Sequence, residues 1–304
     1  MVELVHHSHG CAGSMEGTSM GIGRITSFTR AGLVFDVRDS GPLDGTPVIL
    51  LHGFPQDSRS WGPVAALLHA RGYRTIAPDQ RGYSPGARPR SRFAYRPSEL
   101  TRDIVELITV AGLGPVHLVG HDWGAVVAWE LAAERPDLLR SLAALSVPHP
   151  AAFARAMLTR SQRRKSRYML FFQLPWLPER QLTSVRSWER SLRASGMSSE
   201  AAARDAGRLR ERGAARGALN WYRALPLSSP RALRARITVP TLYVWSDGDK
   251  TIGPQGAALT PRFVTAPYTF EVLEGISHWI PDEAPEQLDT LLATHFVAAP
   301  AKGN

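Results

Sequence analysis

The stretch from Pro115 to Ala133 constrains this chain more than any other segment. Pro115-Val-His-Leu-Val119 is a short apolar run containing β-branched residues, and Ala125-Val-Val-Ala-Trp-Glu-Leu-Ala-Ala133 carries apolar residues at helical spacing. Between them, Gly120-His-Asp-Trp-Gly124 sets a glycine two positions either side of Asp122, so a strand passes into a helix through a tight turn that small neighbours permit. The alternation extends along the chain: strand Val48 to Leu51, helix Trp61 to Ala70, strand Arg74 to Ala77, helix Pro97 to Gly112, strand Val116 to Val119, helix Ala125 to Glu134 and strand Leu139 to Ser146. This predicts an α/β fold with a mainly parallel sheet flanked by helices on both faces. Two short β segments around Ala31-Gly32, within Ser27 to Asp39, predict an opening hairpin.

Pro148-His-Pro150 breaks the alternation, and from there to about Leu227 the sequence is rich in Arg, Ala and Ser, with a Leu-Pro-Trp-Leu-Pro turn at Leu174 to Pro178. The expected organisation is a helical cap at 148–228 inserted between core segments 25–147 and 229–298, with a flexible leader at 1–24 and a tail at 299–304. The core resumes with a helix from Arg231 to Arg236, strands Pro240 to Trp245 and Tyr268 to Leu273, and a helix from Glu283 to about Val297. The single cysteine, Cys11, excludes an intrachain disulfide. With His6, His7 and His9 it belongs to the leader, read as a solvated tail rather than a metal site. No apolar run reaches the roughly 18 residues of a membrane span, and no secretory signal core is visible, so the expectation is a cytoplasmic protein, monomeric or homodimeric, with no membrane partner.

The formal net charge of +9 raises nucleic-acid binding as a possibility, so its distribution matters. Residues 151–236 hold 19 Lys+Arg against 5 Asp+Glu, and the remainder of the chain 17 against 22. The basicity is confined to the cap, where arginines are scattered along helical stretches without the aromatic interleaving of a single-strand binder. A solvated helical surface follows, with no nucleic-acid partner. Only 3 of the 36 cationic residues are lysine, which points to coding bias rather than a binding surface.

Three further segments follow strands. Leu51-His-Gly-Phe-Pro55 follows Val48 to Leu51, Asp249 follows Thr241 to Trp245, and His278 follows Thr269 to Leu273; each lies where ligands bind in open α/β sheets, past a strand's carboxyl end. With these residues placed, the chain resembles the α/β-hydrolase family, and within it the bacterial epoxide hydrolases of soluble type, over Ser27 to Val297. The order nucleophile, acid, histidine is that family's. Further matches are His52-Gly-Phe-Pro55, Asp79-Gln-Arg-Gly-Tyr-Ser84, His121-Asp-Trp-Gly124 and Gly275-Ile-Ser-His-Trp279. Tyr168 and Tyr222 resemble the paired lid tyrosines of epoxide hydrolases.

The resemblance implies a cofactor-independent hydrolase acting on an apolar or aromatic epoxide and water. Asp122 is the nucleophile, His278 the base for water, and Asp249 the carboxylate orienting His278; Asp247, in Ser246-Asp-Gly-Asp249, is an alternative for that last role. Backbone N–H groups of Phe54 and Trp123 form the oxyanion hole. Tyr168 and Tyr222 donate to the epoxide oxygen, and His52, Pro55, Phe171, Phe172, Trp176, Trp221 and Trp279 line or support the pocket. No metal or cofactor motif is present. A haloalkane or haloacid dehalogenase using the same Asp ester is the alternative, with Trp123 as a halide-binding indole. Phe54, where haloalkane dehalogenases commonly carry Asn, and Trp123, where fluoroacetate dehalogenases carry Arg, both favour the epoxide. A third reading, a non-catalytic ligand-binding relative, needs no complete triad, whereas Asp122, Asp249 and His278 are all present.

Overall fold

The computed structural model describes residues 23–228 and 234–299. The leader's His6, His7, His9 and Cys11 and the first half of the helix expected at Arg231 to Arg236 lie outside the described residues. Strands β1 (Ser27–Arg30) and β2 (Leu33–Ser40) form the antiparallel hairpin, with Ala31 and Gly32 both at positive φ, the conformation a two-residue hairpin turn requires. Strands β3 (Thr46–Leu51), β4 (Tyr73–Pro78), β5 (Val116–His121), β6 (Leu139–Leu145), β7 (Thr241–Ser246) and β8 (Tyr268–Leu273) run parallel. The eight-stranded order β1-β2-β4-β3-β5-β6-β7-β8 is the mainly parallel sheet expected from the alternation.

The strand order also locates the site. From β3 the chain turns back to β4 on one side, and β5 then pairs with β3 on the other, so the connections after β3 and β5 diverge and open a crevice at their carboxyl ends. Both strands are apolar throughout because both faces are covered. Ile49 and Leu51 face one core cluster with Leu118, while Val48 and Leu50 face the other with Val119, the two-residue period of a strand. Helix α1 (Gly62–Ala70) supplies Val64 and Leu68 to the second cluster; α2 (Pro97–Val110) and α3 (Trp123–Glu134) supply Ile104, Leu107, Val127 and Leu131 to the first.

Among the described residues between β6 and β7 lie seven α-helices: α4 (Pro150–Ala156), α5 (Arg160–Lys165), α6 (Tyr168–Phe171), α7 (Leu177–Thr183), α8 (Val185–Ala194), α9 (Ser199–Arg208) and α10 (Ala214–Ala224). They are short, and their apolar residues join the cluster on the α2–α3 face, including Leu182, Trp188, Leu192 and Trp221. Polar contacts fix them as well. The Trp221 indole N–H donates to the Arg81 carbonyl at 2.8 Å, Arg208 pairs with Asp57 at 3.1 Å and also with Asp79, and Arg204 reaches Asp282 at 3.3 Å. After β7 come α11 (Pro254–Leu259), α12 (Ile280–Glu283) and α13 (Pro285–Ala298), the last packing Leu288, Leu292 and Phe296 beside α1 on the second face. No helix among the described residues is long and apolar enough to cross a membrane.

Candidate active site

Asp122 occupies the turn between β5 and α3 with φ 52° and ψ −118°, a backbone conformation that side-chain-bearing residues rarely adopt and that the surroundings must hold in place. The glycines explain how. A Cβ on Gly124 would lie 2.1 Å from the Leu51 carbonyl oxygen, one on Gly120 2.3 Å from the Gly124 oxygen, and one on Gly53 2.3 Å from the Asp122 Cβ, so only glycine lets β3, the turn and the His52–Pro55 loop close up. The strained turn places the Asp122 carboxylate at the N-terminus of α3, where backbone amides lack intrahelical acceptors and favour negative charge.

The Phe54 N–H donates to Asp122 Oδ1 at 2.8 Å. His278 Nε2 lies 3.3 Å from Asp122 Oδ2, and its Nδ1 lies 2.6 Å from Asp249 Oδ2. Asp249 Oδ1 is saturated by the N–H groups of Thr251 and Ile252 and by the Thr251 hydroxyl, at 2.7 to 2.8 Å, which fixes the carboxylate. Asp247, by contrast, accepts the Gly275 N–H at 2.7 Å on the exposed side of the loop, away from His278. Burial alone favours neutral forms, yet the charge of Asp249 and the hydrogen bonds that the ring donates to Asp122 and Asp249 outweigh it and hold the His278 imidazolium well above its ordinary range. Burial likewise opposes the two carboxylates, but contact with His278 keeps both below their ordinary values, aided by the Phe54 N–H at Asp122. The resting centre is therefore a charged sandwich of carboxylate, imidazolium and carboxylate.

The segment bearing His278 is held by groups that sequence reading gave no role. Its backbone carbonyl accepts from His121 Nε2 at 2.9 Å and from the Ser146 hydroxyl at 3.1 Å, while the Ser246 hydroxyl donates to the adjacent Ser277 carbonyl at 2.7 Å. Burial lowers the His121 pKa to about 4, so its ring is neutral and can serve as that fixed donor. Ser146 directly follows β6, and Ser246 ends the neighbouring β7. Their position at the strand ends was visible in the sequence; the carbonyls they meet were not.

Asp122, Trp123, Tyr168 and Tyr222 face a cavity of about 310 Å3, whose remaining wall is mainly apolar and includes Val126, Val147, Phe153, Met157 and Leu225. The two tyrosine rings are 5.9 Å apart and meet edge to face, and Tyr222 packs perpendicular to Trp123 at 5.0 Å. Burial, reinforced by neighbouring negative charge that includes Asp122, pushes both phenols above their ordinary pKa and keeps them protonated.

The other aromatic positions divide differently from the expected pocket. Trp176 is corrected: it is 76% exposed, because it takes a left-handed conformation that starts α7 and turns its side chain to the surface. Phe172 is buried behind the wall, against Phe54 and Tyr222, with Phe171 packed on it. Trp221 lies behind Trp123 at 5.6 Å, and Trp279 contacts His278 while its indole donates to the Ser195 hydroxyl at 2.9 Å. His52 is buried and accepts the Gln80 N–H on Nε2 at 3.1 Å, leaving Nδ1–H to face the Gly53 carbonyl, so with neighbouring Pro55 it shapes the loop rather than the cavity wall. These residues brace the cavity from outside.

A family model described as alpha/beta hydrolase fold matches residues 46–285. The chain belongs to that family. It is 36% identical to the AB hydrolase superfamily protein YfhM of Bacillus subtilis over 87% of this chain and 95% of that protein. It is 32% identical to epoxide hydrolase 3 of Xenopus tropicalis over 86% of this chain and 74% of that protein. Among solved structures, epoxide hydrolase A from Mycobacterium thermoresistibile superposes with a TM-score of 0.77 at 25% identity, covering 90% of this chain and 98% of that one. Within the α/β hydrolases, the chain is epoxide hydrolase-like.

Proposed function

We propose that this α/β hydrolase opens an epoxide to a vicinal diol through an ester on Asp122. The observation that carries the reading is the convergence of Asp122, His278 and two protonated phenols on one mainly apolar cavity. Oδ1 of Asp122 is engaged by the Phe54 N–H, which leaves Oδ2 to attack an epoxide carbon. As the carbon–oxygen bond breaks, Tyr168 or Tyr222 gives its proton to the departing oxygen, which becomes a hydroxyl on the same molecule. The product of this step is a hydroxyalkyl ester.

The imidazolium proton of His278 passes to the tyrosinate once the ester has formed; the neutral ring then takes a proton from water, and the hydroxide attacks the Asp122 carbonyl carbon. Negative charge develops on Oδ1, where Phe54 already donates and where the Trp123 N–H, opening α3, lacks an intrahelical acceptor. Collapse expels the diol oxygen, which takes the proton of the attacking hydroxyl and leaves Asp122 as a carboxylate, while the proton taken from water stays on His278 and restores the imidazolium. The step order solves an electrostatic problem. In the resting site His278 is an imidazolium and no base; esterification neutralises Asp122, removes one of the two charges holding that proton, and lowers the His278 pKa when a base is needed. Dehalogenation lacks a comparable use for two phenols over the nucleophile.

The test is mass spectrometry of the protein during turnover of aryl and alkyl epoxides, with haloalkanes and haloacetates in parallel. Wild type should form diol, Asp122→Asn should form none while keeping its thermal melting temperature, and His278→Gln should accumulate a substrate-sized adduct on Asp122. Diol formation by an Asn variant shown to be free of deamidation rules out the covalent route. Halide release without diol formation would move the chain to the dehalogenases.

A further inference from the structure

One carboxylate in the cavity takes no part in the chemistry above. Glu130 lies on α3 two helical turns beyond the nucleophile, on the same stripe as Trp123 and Val126, and faces the same cavity. It is 5% exposed, its Oε1 is fully buried without a hydrogen-bond partner, and it makes no ion pair or hydrogen bond with any described residue. The helical rise from position 122 to position 130 is about 12 Å. A buried carboxyl group without a partner costs free energy in an empty site, and a ligand that supplies the missing partner removes that cost.

We propose that Glu130 is a specificity residue that binds a hydroxyl group at the far end of an epoxide substrate, so the preferred substrate is an apolar chain with an epoxide at one end and an alcohol at the other, spanning roughly two turns of α3. The inference rests on the epoxide reading of the cavity. Ser228, another polar residue in the wall, donates its hydroxyl to the Leu225 carbonyl at 2.7 Å and is already engaged. The wall between the two ends is apolar, provided by Val126, Phe153 and Met157, so an intervening chain needs no polar groups. Two observations favour an alcohol over an ammonium group. Segment 151–236, most of it the cap, carries 19 cationic against 5 acidic residues, which repels a cation approaching this cavity. Burial, with a smaller contribution from Glu134, raises the Glu130 pKa to about 7, so near neutral pH the group is present in both forms, and an alcohol can pair with either one.

The experiment compares straight-chain terminal epoxides of increasing length, each ending in hydroxyl, methyl or amine. In wild type the ratio of kcat/KM for hydroxyl over methyl should rise to about tenfold at the length that reaches Glu130. Glu130→Leu should bring that ratio below one while retaining turnover of the methyl-ended substrate, and Glu130→Gln, which still accepts a hydrogen bond, should keep it above one. Because the readout is a ratio within one variant, a general loss of folded protein leaves it unchanged. An unchanged ratio in Glu130→Leu, or a wild-type preference for the amine that Glu130→Gln abolishes, overturns the proposal. Calorimetric binding of α,ω-alkanediols against 1-alkanols of equal length asks the same question without turnover. If no epoxide is hydrolysed but the diols bind more tightly in wild type and lose that advantage in Glu130→Leu, the reaction assignment fails and the Glu130 assignment stands; equal binding of the two series overturns the latter.

Discussion

At the scale of single residues, the centre works by changing what His278 faces. Before the ester forms, two carboxylates hold the imidazolium; afterwards only Asp249 remains charged. Ester formation should therefore tolerate a protonated His278, whereas ester hydrolysis should accelerate as pH rises through the lowered His278 pKa. Single-turnover kinetics between about pH 6 and pH 9 should show a nearly flat first step and a second step that rises and levels off. Matching pH profiles for the two steps would contradict the proposed switch. The tyrosines act on the first step alone. Tyr168→Phe and Tyr222→Phe should each slow ester formation by about tenfold or more, and the double variant by about 10³-fold or more, because either phenol partly supports the departing oxygen. Wild-type ester formation by the double variant would reduce both residues to packing. The nucleophile, base and acid were legible because each has a rigid local signature, a glycine-framed turn or a position just past a strand. The aromatic wall was less legible. Phe171, Phe172, Trp176 and Trp221 have similar chemistry, and whether such a ring faces a cavity, a core or water depends on helix orientation, as the left-handed backbone at Trp176 illustrates.

At the scale of elements, the sheet was readable because its strands are continuous apolar runs separated by helices of ordinary length. The boundaries moved little, as at β8, found at Tyr268–Leu273, and at α3, whose first helical residue is Trp123 rather than Ala125. The insertion was harder to resolve. Its many short helices take shape through tertiary contacts that have no sequence period, and ionic contacts across the seam to the core are among them. Arg208 on α9 meets the buried Asp57 and Asp79, and burial opposes the Asp57 carboxylate but Arg59 and Arg208 hold its pKa down to about 2. Arg208→Met removes a cation from two buried carboxylates, and losing one partner of such a cluster costs about 3–5 kcal/mol. The variant should melt several degrees lower and be cleaved faster within residues 148–228 under limited proteolysis. Wild-type resistance to cleavage would show that apolar contacts alone hold α9. A second element-level test is Gly124→Ala, whose methyl would meet the Leu51 carbonyl at 2.1 Å. Because β3 and α3 must then separate, the expected result is loss of soluble folded protein, measured by yield and circular dichroism.

At the scale of the whole molecule, buried histidines set the response to acid. Burial lowers the pKa of His117 to about 3 and those of His121, His149 and His295 to about 4. Between those values and about 6.5 the unfolded chain binds protons that the folded chain does not, so stability rises with pH and is lost as pH falls through that window. Burial raises Glu130 to about 7 and Asp205 to about 6, and these two act in the opposite sense, because the folded state keeps protons that the unfolded state has released. His52 and His69 are lowered by burial as well, and Asp103 and Asp282 raised by it, so six lowered imidazoles stand against four raised carboxyls. His278, raised when folded, opposes the trend between about pH 7 and pH 6, where the unfolded ring is losing its proton, and contributes no slope below about pH 5.5, where it is protonated in both states. The melting temperature should fall by several degrees from pH 7 to pH 5; an equal or higher value at pH 5 would mean that these rings gain solvent access before unfolding.

The division of the catalytic set along the chain has a further consequence. Asp122 lies in the stretch before the helical insertion, whereas Asp249 and His278 follow it on the connections after β7 and β8. During synthesis the nucleophile leaves the ribosome more than a hundred residues ahead of the group that would regenerate it, while β6 still waits for its neighbour β7. An early folding unit made of β1 to β6 could thus enclose Asp122 in its strained turn yet complete no hydrolytic cycle. Once the insertion with Tyr168 and Tyr222 has also been made, a reactive epoxide meeting such a nascent chain would be trapped as an ester rather than released. The same late completion makes the last 60 or so residues the gate to multiple turnover, and a ribosome-stalled or truncated chain a single-use scavenger.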